Sequence, residues 1–301
     1  MPLIDASQTY QMTNVGDHIN ATDVYNTNPN LLDNPWFGTN EVINQRDATS
    51  GSPSNAYFID RWKLSGSYSL STSGLTITCN AGSGPAQIFS RALTIGKVYT
   101  YSVMYGDLSV VSVTFSPLAN TENVYAFGDG LLLEIDTRPS FPTHRCIIYK
   151  NGSQWTNTFR AAKLELGTVS TLANDVPPDY GEELLKCLRY QWVVTAENTY
   201  GVIGQATMTT QNTQGMMVVK LPVPMRAIPT LSHSGSFKSV GGNGTSIQVG
   251  AVTSFAISTN ASNKNFVCVD VTGTNMGNTG TSVVIGADSD ATAKLIFDAN
   301  L

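Results

Sequence analysis

Short segments in which apolar and polar side chains alternate dominate this chain. In residues 98–105 (VYTYSVMY), Tyr99, Tyr101 and Val103 fall on one face and Thr100 and Ser102 on the other. A period of two residues is that of a half-buried β-strand. Similar segments recur from residue 30 onward, separated by turn clusters such as SGSPSN, NAGSGP and FGDG. Many short strands with frequent turns predict an antiparallel sandwich or barrel.

The strand pattern falls into two blocks, which predicts two β domains. The first covers residues 30–176 and closes with the strand-like segment TFRAAKLELGT. The second covers residues 193–301, from WVVTA to AKLIFDANL. The sequence therefore predicts an all-β chain with two antiparallel β-sandwich domains.

One segment between the blocks has helical character. Residues 177–192 read PPDYGEELLKCLRYQW, in which Asp179 is a candidate N-cap and Glu182 completes a capping box. The spacing of Leu184, Leu185 and Leu188 places them on one face, together with Trp192. This pattern predicts a short amphipathic helix at the junction of the domains. A helix of about three turns is marginal alone, so packing must stabilise it.

The first 29 residues are polar and carry little pattern. Asparagines and Pro29 punctuate them, and their apolar residues are sparse. We expect residues 1–29 to form an extended arm that attaches the chain to a partner and becomes ordered there. The alternative is a disordered leader.

Composition and charge exclude several classes of function. Charged residues make up 13% of the chain and the net charge is −5, so no basic surface for nucleic acid is expected. No segment approaches 18 apolar residues, and the N-terminus lacks the pattern of a signal peptide, so we expect no membrane insertion. The cysteines are far apart and predict free thiols, which fits folding in a reducing cytoplasm, and no metal site.

The order of several motifs resembles that of a group of bacteriophage fibre and receptor-binding proteins. The resemblance covers roughly residues 30–301, and it rests on NLLDNPWF, INQRDATSG, YFIDRWKLSG, AAKLELGTVSTLANDVPPDYGEELLKCLRYQW, LPVPMRAIPTLS and LIFDANL. It implies a jelly roll similar to carbohydrate-binding modules, then the helix, then a β-sandwich tip, in a homotrimeric virion component. The chain departs from the family where the helix ends, because it reads CLRYQW instead of a segment with a double tyrosine.

The resemblance gives the helix and several side chains expected roles. In a trimer, Leu184, Leu185 and Leu188 would face a threefold axis; the alternative is a strap that covers one sandwich end. Sugar rings stack on exposed aromatic side chains, so Tyr125 and Trp155, near turns, are the predicted glycan-binding residues. Carbohydrate-binding jelly rolls often hold calcium, for which Asp33, Asn34 and Glu165 are candidates. Ordinary polar roles are favoured for these three, so no metal is predicted.

Catalysis is not expected. The chain has no GxSxG or HExxH motif. Two carboxylate pairs, Glu134 with Asp136 and Asp288 with Asp290, have the spacing that places both on one strand face, where a glycan-cleaving enzyme would need them. Solvated strand faces carry such pairs more often. We therefore predict no catalytic residues, no cofactor and no enzymatic activity.

The predicted function is that of a phage tail fibre or receptor-binding protein. It would bind host-surface glycans without catalysis, as part of a virion assembled in the host cytoplasm. The alternative is a capsid fibre or decoration protein docked on the shell through residues 1–29. A glycan-cleaving enzyme is a third, less favoured class.

Overall fold

The computed structural model describes residues 28–242 and 247–300. Within them the predicted all-β fold with a single α-helix is confirmed. The predicted arm lies outside the described residues except for Asn28 and Pro29. The strands are Ser50–Gly51 (β1), Ala56–Ile59 (β2), Trp62–Leu64 (β3), Ser67–Ser71 (β4), Gly74–Cys79 (β5), Ala86–Ile88 (β6), Tyr99–Tyr105 (β7), Val110–Phe115 (β8), Glu122–Gly128 (β9), Leu131–Asp136 (β10), Arg145–Lys150 (β11), Trp155–Leu166 (β12), Gln191–Thr195 (β13), Val202–Thr210 (β14), Gln214–Lys220 (β15), Thr230–Ser234 (β16), Phe237–Gly242 (β17), Ile247–Ile257 (β18), Phe266–Thr274 (β19), Ser282–Ala287 (β20) and Lys294–Asp298 (β21).

The chain forms two compact units that meet in sequence between Tyr180 and Gly181. The first unit contains two six-stranded antiparallel sheets and has a jelly-roll-like fold. The first sheet has the order β1-β4-β5-β12-β7-β8, and the second has the order β2-β3-β6-β11-β10-β9. Side chains of the two sheets share one core, in which Tyr101 of β7 contacts Phe127 of β9 with ring centroids 5.9 Å apart.

The outer face of the first sheet is covered by the segment that follows β12. Leu172 is fully buried there and packs with Trp36, Met104 and Ala161. This cover explains why both faces of β7 are buried, although its sequence alternates like a strand with one wet face.

The second unit contains a three-stranded sheet and a closed barrel. The sheet has the order β13-β21-β16, and the barrel has the order β14-β15-β19-β18-β17-β20. Alternation along β19 places Val267, Val269 and Val271 in the core. The pairing of β14 with β20 closes the barrel, which gives this unit a more specific architecture than the sandwich that was predicted from the pattern.

The predicted helix is present but shorter than expected. It spans Tyr180–Leu188 (α1), and Gln191 already begins β13. Its buried residues are Glu183, Cys187 and Leu188.

The three leucines expected at a threefold axis differ in exposure within the single chain, and their place in a trimer stays a prediction. Leu188 is 9% exposed and packs within the chain, Leu184 is partly buried, and Leu185 is 54% exposed. The buried side of α1 includes Glu183 and Cys187 and is therefore rotated relative to the predicted leucine face. Leu185 is the most exposed of the three leucines in the single chain.

All four cysteines are free thiols, and three of them are buried. In the described part of the chain, no helix has the length and apolar character required to cross a membrane.

Candidate functional site: a groove on the second sheet

Trp155, a predicted glycan-binding residue, is a core residue. Its side chain is 7% exposed, its indole Nε1–H donates a hydrogen bond to the carbonyl oxygen of Ser83 at 3.1 Å, and its ring contacts Phe159 edge to face. A sugar cannot stack on a ring that is already enclosed. The prediction of an exposed platform at Trp155 is wrong because proximity to a turn does not set which face of a strand a residue occupies.

Tyr125, the other predicted residue, also faces the interior. On β9 the outward positions are Glu122, Val124 and Ala126, and Tyr125 alternates with them. Its ring lies 5.1 Å from that of Phe115 in the first sheet, and burial raises the pKa of its phenol. Tyr125 therefore packs between the two sheets while it stays partly exposed, and glycan binding by Tyr125 stays a prediction.

The outer face of the second sheet carries a groove that crosses several strands. Register places five outward residues side by side across β3, β6, β11, β10 and β9: Lys63, Ala86, Ile147, Glu134 and Val124. Ala86 and Ile147 form part of the lining of a cavity of about 280 Å³. This cavity is close to the lower end of the usual range for small-molecule sites.

Polar groups and one aromatic ring complete the lining of this groove. Phe141 and Arg145 line it, and the Arg145 guanidinium carbon lies 4.5 Å from the centroid of the Phe141 ring. Ser65, Ser83 and Asn55 add hydroxyl and amide groups. Hydroxyls, an amide and a ring together form the kind of lining that can hydrogen-bond and stack a polar ring.

A glycine lets the rim of the groove approach the sheet closely. Gly84 lies against β11, and a Cβ atom added there would collide with the carbonyl oxygen of Ile148. The turn that precedes β6 therefore lies close against the sheet.

An ion-pair network occupies the sheet next to the groove. Arg145 lies 2.5 Å from Glu134 and 3.6 Å from Asp136, because Arg145 and Asp136 are neighbours across β11 and β10. Arg138 lies 2.6 Å from Asp136 and also pairs with Glu122. Carboxylate oxygens of Glu122, Glu134 and Asp136 all lie within 4.8 Å of one another. The two guanidiniums balance most of the negative charge that this cluster brings together.

The surroundings shift the pKa values of two of these acids in opposite directions. Burial raises the pKa of Glu134, and the nearby Arg145 reduces that shift. Burial also acts to raise the pKa of Asp136, but hydrogen bonds from Arg138 outweigh it and leave the pKa below its ordinary value. The carboxylates that the sequence offered as a catalytic pair are thus bonded to arginines.

The other candidate carboxylates do not come together as a site. Asp288 pairs with Lys238 at 3.6 Å, whereas Asp290 accepts hydrogen bonds from Thr292 and Ser236. Asp33 is paired with buried Arg61 at 2.9 Å.

The calcium candidates Asp33, Asn34 and Glu165 likewise have separate partners. The Asn34 amide binds the carbonyl oxygens of Ile43 and Asp60. Glu165 accepts hydrogen bonds from the amide and hydroxyl of Thr171. Each of the three side chains therefore has hydrogen-bond or ion-pair partners within the chain.

The surroundings of the Lys63 charge differ from those of the Arg145 charge. Its ammonium lies 4.8 Å from the centroid of the Tyr57 ring, and Arg46 contacts the same ring at 5.9 Å. Among the carboxylates that the structure describes, none forms an ion pair with Lys63. Of the two cationic residues that line the cavity, Arg145 is therefore paired with carboxylates, whereas Lys63 pairs with no carboxylate of the described residues.

Comparison with known proteins finds no family model that matches the sequence and no match among curated proteins.

Sequence reasoning missed Lys63, Phe141 and Arg145. Lys63 and Arg145 alternate with buried neighbours, so the sequence alone could have placed them on the outer face of their strands. The sequence could not show that they converge, because convergence depends on the register of strands that are far apart along the chain.

Proposed function

We propose that this chain is a bacteriophage virion protein, a fibre or receptor-binding protein that attaches to host-surface glycans through the groove on the second sheet. The observation that carries the proposal is the lining of that groove, which combines Phe141 with Ser65, Ser83, Asn55 and two cationic side chains. The motif order described above and the jelly-roll-like first unit support it.

The physical requirements of sugar binding match this lining. A sugar ring has apolar C–H faces and a rim of hydroxyls that each donate and accept hydrogen bonds. Ala86 and Ile147 offer an apolar floor, and Phe141 adds ring surface at one side. The serine hydroxyls and the Asn55 amide line the same cavity and can form hydrogen bonds with the rim of a sugar.

In this proposal the chain forms a homotrimer and attaches to glycans without catalysing a reaction. Glu134 and Asp136 are engaged by Arg145 and Arg138, so their proposed role is to position the arginines. Leu185 is the proposed contact of α1 with other copies, because it is the most exposed leucine of the helix. Residues 1–29 are proposed to attach the chain to other virion proteins.

A matched pair of substitutions tests the groove. Ala86→Tyr would fill the cavity from its floor, and Ala126→Tyr would add the same side chain to the same face of the sheet on β9, away from the cavity lining. On an array of host-surface glycans, we expect the parent chain and the Ala126 variant to bind the same glycans. The Ala86 variant should lose at least about tenfold in affinity. Equal binding by both variants would refute the groove as the site.

Electron microscopy of intact phage particles tests the place of the chain in the virion. Labelling with an antibody against the chain is expected at the tail tip. Label over the capsid would overturn receptor binding in favour of the capsid fibre alternative.

A further inference from the structure

We infer that the groove selects glycans that carry a carboxylate, such as uronic or sialic acids, and that Lys63 is the specificity-determining residue that binds this carboxylate. The inference rests on the proposed glycan binding and names the class of sugar that the same groove takes.

The charges of the two cationic side chains of the cavity are balanced in different ways. Arg145 is bonded to Glu134 at 2.5 Å and lies 3.6 Å from Asp136. A second carboxylate brought to Arg145 would have to approach two carboxylates that are already there, and like charges at such distances repel. Arg145 therefore has little capacity for an anionic ligand.

Lys63 has that capacity. It lines the same cavity, and no carboxylate in the described ranges pairs with its ammonium. Its charge is met instead by the face of Tyr57, at 4.8 Å from the ring centroid. A cation–π contact of this kind holds the side chain in place and leaves its N–H donors available.

A second positive group, Arg46, lies near the same ring and interacts electrostatically with Asp60. The guanidinium of Arg46 lies 5.9 Å from the centroid of the same Tyr57 ring, so two cations flank one ring. An anion beside Lys63 would pair with its ammonium. Electrostatic complementarity of this type favours an anionic ligand over a neutral ligand of the same shape.

The position of Lys63 on the sheet also sets the orientation of the sugar. Along the register row, Lys63 and Glu134 are separated by Ala86 and Ile147. A carboxylate at Lys63 would place the remainder of the sugar over these two side chains, within reach of the hydroxyl and amide groups that line the cavity. A neutral sugar would gain only the contacts with the hydroxyls, the amide and the ring.

The test uses pairs of ligands that differ only in charge. Uronate-containing and sialylated oligosaccharides are each compared with the same oligosaccharide after its carboxyls are reduced to primary alcohols. Affinities are measured by calorimetry with the full chain. We expect the acidic member of at least one pair to bind about tenfold more tightly, because a charge-assisted hydrogen bond is lost on reduction. This preference should decrease with added salt.

Three variants assign that preference to Lys63. Lys63→Gln should reduce the tenfold preference to about twofold or less while binding of the reduced sugar persists, and Lys63→Arg should retain most of it. Lys97→Gln makes the same change of charge at an exposed position outside the groove and should leave the preference unchanged. A Lys63→Gln variant that keeps the full preference would overturn the assignment.

Other outcomes separate this inference from the function on which it rests. Equal binding of acidic and reduced sugars would overturn the charge selection and leave glycan binding intact. Absence of binding to every member of the acidic, reduced and neutral sets would overturn glycan binding and the inference together.

Discussion

The ammonium of Lys163 lies 2.7 Å from a carboxylate oxygen of Asp175, and the lysine is only 2% exposed. Lys163 belongs to β12, and Asp175 lies in the segment that covers the outer face of the first sheet before α1 begins. The same ammonium donates to the hydroxyl of Thr171 at 2.6 Å and lies 3.7 Å from buried Glu165. A buried ion network thus fastens this covering segment to the sheet.

Replacing Lys163 with methionine should strongly destabilise the first unit. The change leaves the buried carboxylate of Glu165 without its nearby cation, and breaking a buried pair in this way costs about 3–5 kcal/mol. Urea unfolding, followed by the fluorescence of the chain, would measure the loss. Lys97→Met is the control at an exposed site and should change the free energy of unfolding by less than about 0.5 kcal/mol. Equal stability of the two variants would mean that the network does not fasten the segment.

The contribution of Asp60 to the stability of the first unit should decrease as the pH rises from 5 to 7. Burial raises the pKa of Asp60 to about 6, although hydrogen bonds from Gln45 partly offset it. The folded state therefore holds a proton that the unfolded state releases near pH 4. The contribution of Asp60 is full below that pH and is lost as the pH rises through about 6, by about 3 kcal/mol at most.

Urea titrations of the parent chain and of Asp60→Asn at pH 5, 6 and 7 would show this linkage. The amide cannot titrate, so the difference in free energy of unfolding between the two proteins should change with pH in the direction given above. Glu134 and Asp136 titrate in both proteins and cancel in that difference. Parallel pH profiles would contradict the assignment to Asp60.

Local pattern was enough to predict the strands, but not what covers them. Alternation in β7 correctly placed Tyr101 and Val103 in the core. It also suggested that Thr100 and Ser102 face water, yet both are buried, with hydrogen bonds to the carbonyl oxygen of Gly167 and the hydroxyl of Ser170. Their burial depends on where a later segment of the chain lies, and the period of a single strand carries no information about that.

The same limit applies to the second unit and to the groove. Each strand of the barrel shows an inner face in its sequence, but closure depends on pairing of β14 with β20, which are separated by five other strands. Likewise, Lys63 and Glu134 share one face because β6 and β11 lie between their strands. Tyr125 and Trp155 were predicted to bind glycans because they lie near turns. Proximity to a turn does not distinguish the inner from the outer face of a sheet.

Trp155→Ala should lower the stability of the first unit, and any loss of ligand binding should follow from that loss of stability. Removal of a buried tryptophan leaves a cavity and costs about 3–5 kcal/mol. Trp155→Phe retains most of the packing but leaves the carbonyl oxygen of Ser83 without its indole donor, at a cost of about 1–2 kcal/mol. Thermal unfolding of the two variants would rank them. If Trp155→Ala were as stable as the parent and lost only glycan binding, the residue would be a binding platform after all.

Leu185 and Leu188 should respond differently to the same substitution. Leu185→Asp changes an exposed side chain, so the fold should lose less than about 0.5 kcal/mol. If α1 contacts other copies as proposed, this variant should sediment as a monomer where the parent sediments as a trimer. Leu188→Asp instead buries a carboxylate and should destabilise the chain by about 3 kcal/mol.

Leu118→Asp supplies the control for this experiment, because Leu118 is 55% exposed and lies outside the helix. It should leave both the stability and the sedimentation of the chain unchanged. Analytical ultracentrifugation of the three variants at one protein concentration therefore separates loss of assembly from loss of folding. A Leu185→Asp variant that remained trimeric would remove α1 from the interface, and contacts between copies would then have to be sought on other exposed apolar side chains, such as Val218 and Ile247 of the barrel strands.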